Sequence, residues 1–563
     1  MVASDKPNTE IEHAQRVDTP PGAINFQTIM MTRRSRRRSM MVSAILLWLI
    51  PAVSAAAEED PPPQTMEQCN ADIDNIPCKL WSQIFGNQRR HTKRIHIVCG
   101  TCITLDYQDP YTAHDPHLTS VLELAGGMTI EGKLVIPDHD IHIHNLRLET
   151  SFIDVLAGEF HISSTHNIAG DPSIDISGPV NIQDPGMVVW NGAPKDAPGS
   201  VPVINVASSD AIPENLRRLE TDESSPYSSR TKTKRPGCRQ ETSPSNSAEN
   251  FYYEFPDVLV VPNTISGSWE KGADIVLTMA PPMLRTIEQV APHPYNKTLS
   301  LLYLDQCLLE RPNLLKIGNE PSVRVALLSR NILLRNDLTI RSNNARNVLT
   351  GIELREATII IQESSAVTLS NSVTHNSKHG CISVANSRDI HLVDNVGFDC
   401  DGSCFESRDS QSIEWKHNIG ISTLTSGCTF DTYDSSQLDL QNNIAVGSKG
   451  FGYSLRNTKD VTFRHNVASS HAMAALEISS TDVTVDALLA YNNVDGVVRK
   501  SDQSKVQLVR CLLHGSVDGV SVDEESTDWL PDLDQQEPCD PNEPLSDLDG
   551  GTASAVFFGK GTV

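Results

Sequence analysis

Five carboxylates crowd one short stretch: Asp399, Asp401 and Glu406, followed by Asp431 and Asp434. Acids at this density can gather calcium, or divide the roles of acid and base on a sugar chain. A glycosidase needs two carboxyl groups about 5 or 6.5–9.5 Å apart. Asp399, Asp401 and Asp431 are the candidate catalytic residues, with Arg456 and Arg464 as basic partners. Turn chemistry places aspartate at such positions equally well. The five acids do not fall into one aligned column. A second cluster is Asp138-His139-Asp140-Ile141-His142-Ile143-His144. Asp140, His142 and His144 alternate onto one face of a strand, a donor set for a transition metal. The competing reading is a solvated polar strand face. His375, His391, His417 and His465 fall on outer or turn positions, none with an acid in register. Cys99-Gly-Thr-Cys102 is a lone CxxC without a second pair at zinc spacing, which reads as a local disulfide or free thiols. Asn296-Lys297-Thr298 is the sole N-glycosylation sequon.

These groups need a scaffold, and a repeat supplies it between Ala366 and Asp523. Val367, Ile390, Ile413, Leu438, Val461, Val483 and Val506 recur at intervals of 22 to 25 residues. Leu369, Leu392, Trp415, Leu440, Phe463, Val485 and Leu508 keep step, as do Val373, Val396, Ile419, Ile444, Val467, Leu489 and Leu512. A fixed period in this range marks a stacked architecture. The first two columns lie two residues apart, the alternation of a strand. Such a rung is too short for two ordinary helices and a turn. It suits a coil of three short strands, stacked on the next coil at about 4.8 Å. The expected fold is therefore all-β, a right-handed parallel β-helix with the three apolar columns pointing into its bore. Asn395, Asn418, Asn443 and Asn466 precede the third column and form a structural ladder at one corner. The third strand of each coil lies near Cys381, Cys404, Cys428, Gly452 and Ala475. The cysteines there are small buried hydrophobes, or include one coil-to-coil bridge.

Composition narrows the function. With 46 basic and 71 acidic residues the net charge is −25, which argues against nucleic acid as a partner. Twelve cysteines suit an oxidising compartment. Arg33-Arg34-Ser35-Arg36-Arg37-Arg38 precedes an apolar run that ends in small residues near Ala55, so 1–57 reads as a leader with a signal peptide. Translation starting at Met30, Met31 or Met40, or an uncleaved anchor, would account for the long lead. Residues 58–102 read as a linker and N-terminal cap, and 103–206 as short strands punctuated by glycine. Residues 207–250 are polar and read as a disordered insertion. Residues 251–345 form a β connecting region, 346–523 the β-helix, and 524–563 an acidic tail.

Three stretches resemble the G-eight (eight-glycine) domain family, which includes a cell migration-inducing hyaluronan-binding protein, a cell-surface hyaluronidase and the fibrocystin-like proteins. Ile153-x-Val155-x-x-Gly158-Glu159-Phe160-x-Ile162-x-Ser164 is similar to that domain's core. Ala326-Leu327-Leu328-Ser329-Arg330-Asn331-Ile332 and Gly351-Ile352-Glu353-Leu354 are similar to its junction with a β-helix. The stretch from Cys381 to Asp409 resembles a coil carrying a Gly-His-Cys-Phe-Phe pattern. The resemblance spans 103–206 and 323–523. It implies a G-eight-like domain packed end-on to the β-helix, and an extracellular setting. This chain departs from the pattern: Gly402-Ser403-Cys404 lacks the histidine, Phe405-Glu406 replaces Phe-Phe, and the histidine-bearing segment after Glu353 is missing.

Two functions follow. One is a secreted or cell-surface protein that binds an extracellular glycan or a protein partner without catalysis. The other is a polysaccharide-degrading enzyme, a hyaluronidase-like depolymerase or a lyase. No cofactor is expected, calcium being the one ion such carboxylates would take. No membrane contact is expected unless the leader stays as an anchor.

Overall fold

The computed structural model describes residues 76–109, 119–137, 145–163, 173–192, 203–205, 257–262, 269, 271–278, 282–293, 296–307, 324–344, 346–425, 427–491, 493–499, 506–514, 518–522 and 556–557. The leader, the 207–250 insertion, and Asp140, His142 and His144 lie outside them. Among the described residues no helix is long and apolar enough to cross a membrane.

Three parallel sheets of 13, 14 and 13 strands run side by side, each coil giving one strand to each sheet. The first sheet runs from Lys79–Leu80 to Val506–Val509 and the third from Ile95–Ile97 to Asp518–Val522. The second begins at Arg90–His91, reaches Leu512–His514 and is completed by Val556–Phe557. This is a parallel β-helix. The coils begin well before residue 346: Val189 of the strand Met187–Asn191 pairs directly with Val348. The described strands from Cys102–Thr104 to Met187–Asn191 therefore stack as coils of one solenoid, where the sequence suggested a domain packed on its end. At that first end Trp81 is fully buried, with Phe85 packed beside it.

The first two apolar columns behave as the spacing predicts. Ile390, Ile413, Leu438 and Val461 stand in register, as do Leu392, Trp415, Leu440 and Phe463, and both columns pack in the bore. Each buried side chain of this size contributes about 1.5–3 kcal/mol. The third strands add Phe405, Phe430 and Tyr453, stacked at 4.8 and 4.9 Å between ring centroids.

The third column corrects the expectation. Val373, Val396, Ile419 and Ile444 keep register but point outward. The residues turned into the bore beside them are small: Gly397, Gly420, Ala445, Ala468 and Ala490. A Cβ on Gly420 would meet the Thr429 Cγ2 at 2.0 Å. The outward stripe is buried all the same, because Val276, Ala326 and Leu328 cover it. Leu328 directly follows the strand Arg324–Leu327, and Val276 and Ala326 belong to a six-stranded antiparallel sheet built from strands between Val203 and Leu327. Its own core includes Val260, Trp269, Ile275, Ile287 and Leu302. The strands Ile332–Leu334 and Leu338–Arg341 have already rejoined the solenoid.

Corner chemistry fixes the coil shape. Asp394, His417, Asn442 and His465 have φ of 52–57°, a conformation that Asn, Asp and His tolerate better than most residues. The next residue is the laddered asparagine, fully buried in all four coils. The Asn395 N–H donates to Asn418 Oδ1 at 2.9 Å, Asn418 to Asn443 and Asn443 to Asn466 at the same distance. A second ladder, of hydroxyls, escaped the sequence reading. Ser364, Ser387, Ser410, Ser435, Thr458 and Thr481 follow left-handed residues at the corner between the third and first sheets. Ser364 N–H donates to Ser387 Oγ, Ser387 N–H to Ser410 Oγ and Thr458 N–H to Thr481 Oγ1.

Cysteine placement also differs from expectation. Cys102 bridges to Cys78, which immediately precedes the neighbouring strand Lys79–Leu80, and Cys99 is disulfide-bonded elsewhere; the CxxC is neither a local bridge nor a pair of thiols. Cys381 bridges to Cys400 of the next coil, outside the expected column, and Cys404 and Cys428 stay free and buried. Cys428 stands one residue out of register, because Phe405 pairs with Phe430 and so Cys404 aligns with Thr429. It packs instead with Phe451 and Ala474 in a small separate cluster.

Candidate functional site on the third sheet

The strands Phe405–Arg408 and Phe430–Tyr433 bury alternate residues and turn the others out, whereas Tyr453–Arg456 buries its first three residues and leaves Arg456 half-buried. Strict register stacks the outward residues. Ser383, Glu406, Asp431, Ser454 and Glu477 form one column. Arg408, Tyr433, Arg456 and Ser479 form the next, two residues further along each strand. Glu406 and Asp431 are thus aligned neighbours on consecutive coils, two of the five acids that do share a column.

Each charge on this face has a partner. Arg408 donates to Glu406 at 2.9 Å within one strand. Arg456 reaches across to the preceding coil and donates to both oxygens of Asp431 at 2.7 Å. Burial opposes the charge on Arg456, but the Asp431 bond outweighs it and holds the guanidinium above its usual range. The same guanidinium lies 5.5 Å from the Tyr433 ring centre, a cation–π distance. Tyr433 itself is 43% exposed. Ser454 Oγ donates to Glu477 at 2.9 Å, and both of those residues are buried.

The other candidate acids sit elsewhere. Asp399 occupies a left-handed position near the end of the second-sheet strand Val396–Cys400, at its corner with the third sheet, φ 55°, where burial raises its carboxyl despite a bond from Ser422. Asp401 follows at the same corner, exposed, its N–H on the Ser377 carbonyl. Asp434 is a left-handed corner residue bonded by Asn457. Of Asp399, Asp401 and Asp431, only Asp431 lies on the aligned face. Arg456 is its partner, whereas Arg464 stands on the first sheet beside Gln441 and Asp486.

Three of the four histidines do have acids, His391 and His417 in register, contrary to expectation, and His375 out of register. His391 bonds Glu414, its register mate. Burial works against the Glu414 charge, yet bonds from Lys416 and His391 hold it below the usual range. His417 pairs with Asp394 at 3.5 Å. His375 and Arg355 meet the buried Glu353 at 3.0 and 2.7 Å, beneath the antiparallel sheet. Desolvation opposes that carboxylate, and the His375 and Arg355 contacts hold it low. Arg330 packs there too, lowered to about 10 by burial, its main-chain N–H on Glu353. This cluster is a charged seam between insert and solenoid.

The sequence reading passed over Arg408 and Tyr433. The signal was available: Glu406-x-Arg408, Asp431-x-Tyr433 and Ser454-x-Arg456 share an i, i+2 spacing on outward strand positions.

The family model described as "Periplasmic copper-binding protein (NosD)" matches residues 330–529. No curated protein matches. Among solved structures, the A-module of mannuronan C-5 epimerase AlgE6 from Azotobacter vinelandii is 11% identical with a TM-score of 0.24, covering 81% of this chain and 91% of its own. The Gp54 tailspike of Acinetobacter baumannii bacteriophage AP22 is 8% identical with a TM-score of 0.18, covering 67% of this chain and 64% of its own. The A-module of AlgE4 from A. vinelandii is 9% identical with a TM-score of 0.17, covering 67% and 89%. TM-scores this low carry no argument about this chain. The family description names copper, which needs nitrogen, oxygen or sulfur donors brought together from the chain's residues. Among those described, no group of three or more His, Cys, Asp or Glu is placed to hold a metal ion. The thiols of Cys404 and Cys428 are buried and raised to about 12, far from the thiolate a metal needs. The described residues do not fit a copper site.

Proposed function

We propose that the outer face of the third sheet binds an extended, uncharged glycan without cleaving it, in a secreted or cell-surface protein. The carrying observation is the aligned pair of columns, Glu406–Asp431 beside Arg408–Tyr433–Arg456. A sugar ring offers a weakly apolar face and a rim of hydroxyls. Tyr433 supplies a flat exposed surface for the first, and the ion-paired carboxylates and guanidiniums supply acceptors and donors for the second. Because a solenoid repeats its surface coil by coil, it suits a ligand that also repeats. An uncharged polymer is favoured over a uronic acid because the face carries three carboxylates and two guanidiniums, on a chain of net charge −25.

The catalytic reading keeps one supporting observation. Glu406 and Asp431 lie on consecutive rungs, about 4.8 Å apart along the solenoid, near the separation used by retaining glycosidases. Both acids already face guanidiniums, whereas a general acid must keep its proton until the sugar oxygen takes it.

Affinity electrophoresis in gels cast with β-glucan, mannan, xylan, hyaluronan or alginate tests the proposal. An uncharged polymer is expected to retard the protein, and Tyr433→Ala to weaken that retention about tenfold or more, the loss typical of an aromatic anchor. Retention by none of the polymers, or retention unchanged in both Tyr433→Ala and Arg408→Ala, overturns it. Shortening of a polymer that depends on Glu406 and Asp431 would establish the catalytic alternative.

A further inference from the structure

The insert carries a site that the binding face does not use. Asn296-Lys297-Thr298 lies in the turn between the strands Met283–Pro292 and Leu299–Leu304 of the antiparallel sheet. No other Asn-x-Ser/Thr sequence occurs in the 563 residues.

The turn is built around this tripeptide. The Asn296 N–H donates to His293 Nδ1 at 2.9 Å. Burial lowers the His293 pKa, which keeps that nitrogen free to accept. Leu299 N–H closes the turn on the Asn296 carbonyl at 3.1 Å. The Asn296 side chain then folds forward. Its Oδ1 accepts the Thr298 N–H at 2.9 Å and the Thr298 hydroxyl at 2.6 Å. Both bonds fall on the amide oxygen, and no described residue bonds Nδ2. Asn296 is half-buried, and Lys297 and Thr298 beside it are exposed.

We propose that Asn296 is an N-glycosylation site. The co-reactant is an oligosaccharide carried on a lipid pyrophosphate. Nδ2 attacks C1 of the first sugar and the N–C bond forms. The bond from C1 to the pyrophosphate oxygen breaks, and the lipid pyrophosphate leaves with the electron pair. Nδ2 gives up one proton to a base of the transferase. The exposed turn offers the amide and the required hydroxyl together on a surface loop, the setting in which such sequons are modified. The inference is independent of the ligand of the third sheet. It does require the basic and apolar leader at 33–57 to carry the chain into the compartment that holds the transferase.

The test is translation of the full chain in the presence of endoplasmic-reticulum microsomes, followed by protease treatment and peptide-N-glycosidase. A protease-protected chain with one glycosidase-sensitive band is expected. Asn296→Gln and Thr298→Ala lose that band, and Thr298→Ser keeps it. Modification accompanies synthesis, so a variant that later misfolds still reports. A protected wild-type chain without the band overturns the proposal. So does an unprotected chain, or a band that persists in Asn296→Gln.

Discussion

Replacing Asn418 by alanine removes the centre of the asparagine ladder. Asn418 is fully buried and its amide serves three coils. Its Oδ1 accepts the Asn395 N–H at 2.9 Å and Asn395 Nδ2 at 3.1 Å. Its Nδ2 donates to the Leu392 carbonyl at 2.7 Å and to Asn443 Oδ1 at 3.2 Å. Asn395 Nδ2 keeps its bond to the Leu369 carbonyl, and Asn443 Oδ1 still receives the Asn418 main-chain N–H. The Asn395 N–H is left buried without its acceptor, which costs about 1–3 kcal/mol, and the other lost bonds about 1 kcal/mol each. With three such bonds, the expected loss is roughly 4–6 kcal/mol. Solenoid coils interact mainly with their neighbours, so the effect concentrates near the substitution. Urea unfolding monitored by hydrogen exchange of peptides from 388–446 reads it directly. Protection should fall most in the coils of Asn395, Asn418 and Asn443, and less at either end of the solenoid. A loss below about 1 kcal/mol, or one spread evenly over all coils, would refute the view that this ladder sets the corner.

Four further outcomes are expected. His471 is buried and lowered to about 3, with Nδ1 accepting from Ser448, so below about pH 6.5 the unfolded chain binds a proton that the folded chain refuses. Stability should fall by about 1.4 kcal/mol per pH unit between 6.5 and 3 and flatten in His471→Asn, which denaturant titrations across that range would detect. Glu353 has a lowered pKa, so its stabilising contribution is present above the unfolded value near 4.3 and is lost as pH falls through the folded one. Exchange of the strand Arg324–Leu327 should rise in that acid range, and Glu353→Gln should remove the pH dependence. Cys404 is raised to about 12 by burial, so iodoacetamide at pH 8 should label it in urea but not in the native protein, as peptide mass mapping would record. Gly158→Ala would place a Cβ 1.9 Å from the Gly132 carbonyl oxygen, a backbone contact that cannot swing aside, and should lower the unfolding free energy by about 3 kcal/mol, read from urea titrations.

The sequence by itself determined the coil. Apolar residues at intervals of 22 to 25, alternating in pairs, admit few folds besides stacked three-strand rungs. Asparagine ahead of the third column identified a corner ladder, because a buried amide can satisfy both the turn and the next coil. Tertiary structure decided which way columns face and what covers them. Alternation gives the same period for an inward and an outward apolar stripe, so Val373 to Ile444 read as bore residues until the insert was found lying on them. It also decided the register of the third strands. The coil between Ile413 and Leu438 is two residues longer than its neighbours, and counting from Cys404 to Cys428 slips by one. That slip concealed the alignment of Glu406 with Asp431 and of Arg408 with Tyr433. Pairings between coils depend on where the chain returns after each turn. Periodicity carries no record of that, and it is where the candidate site lies.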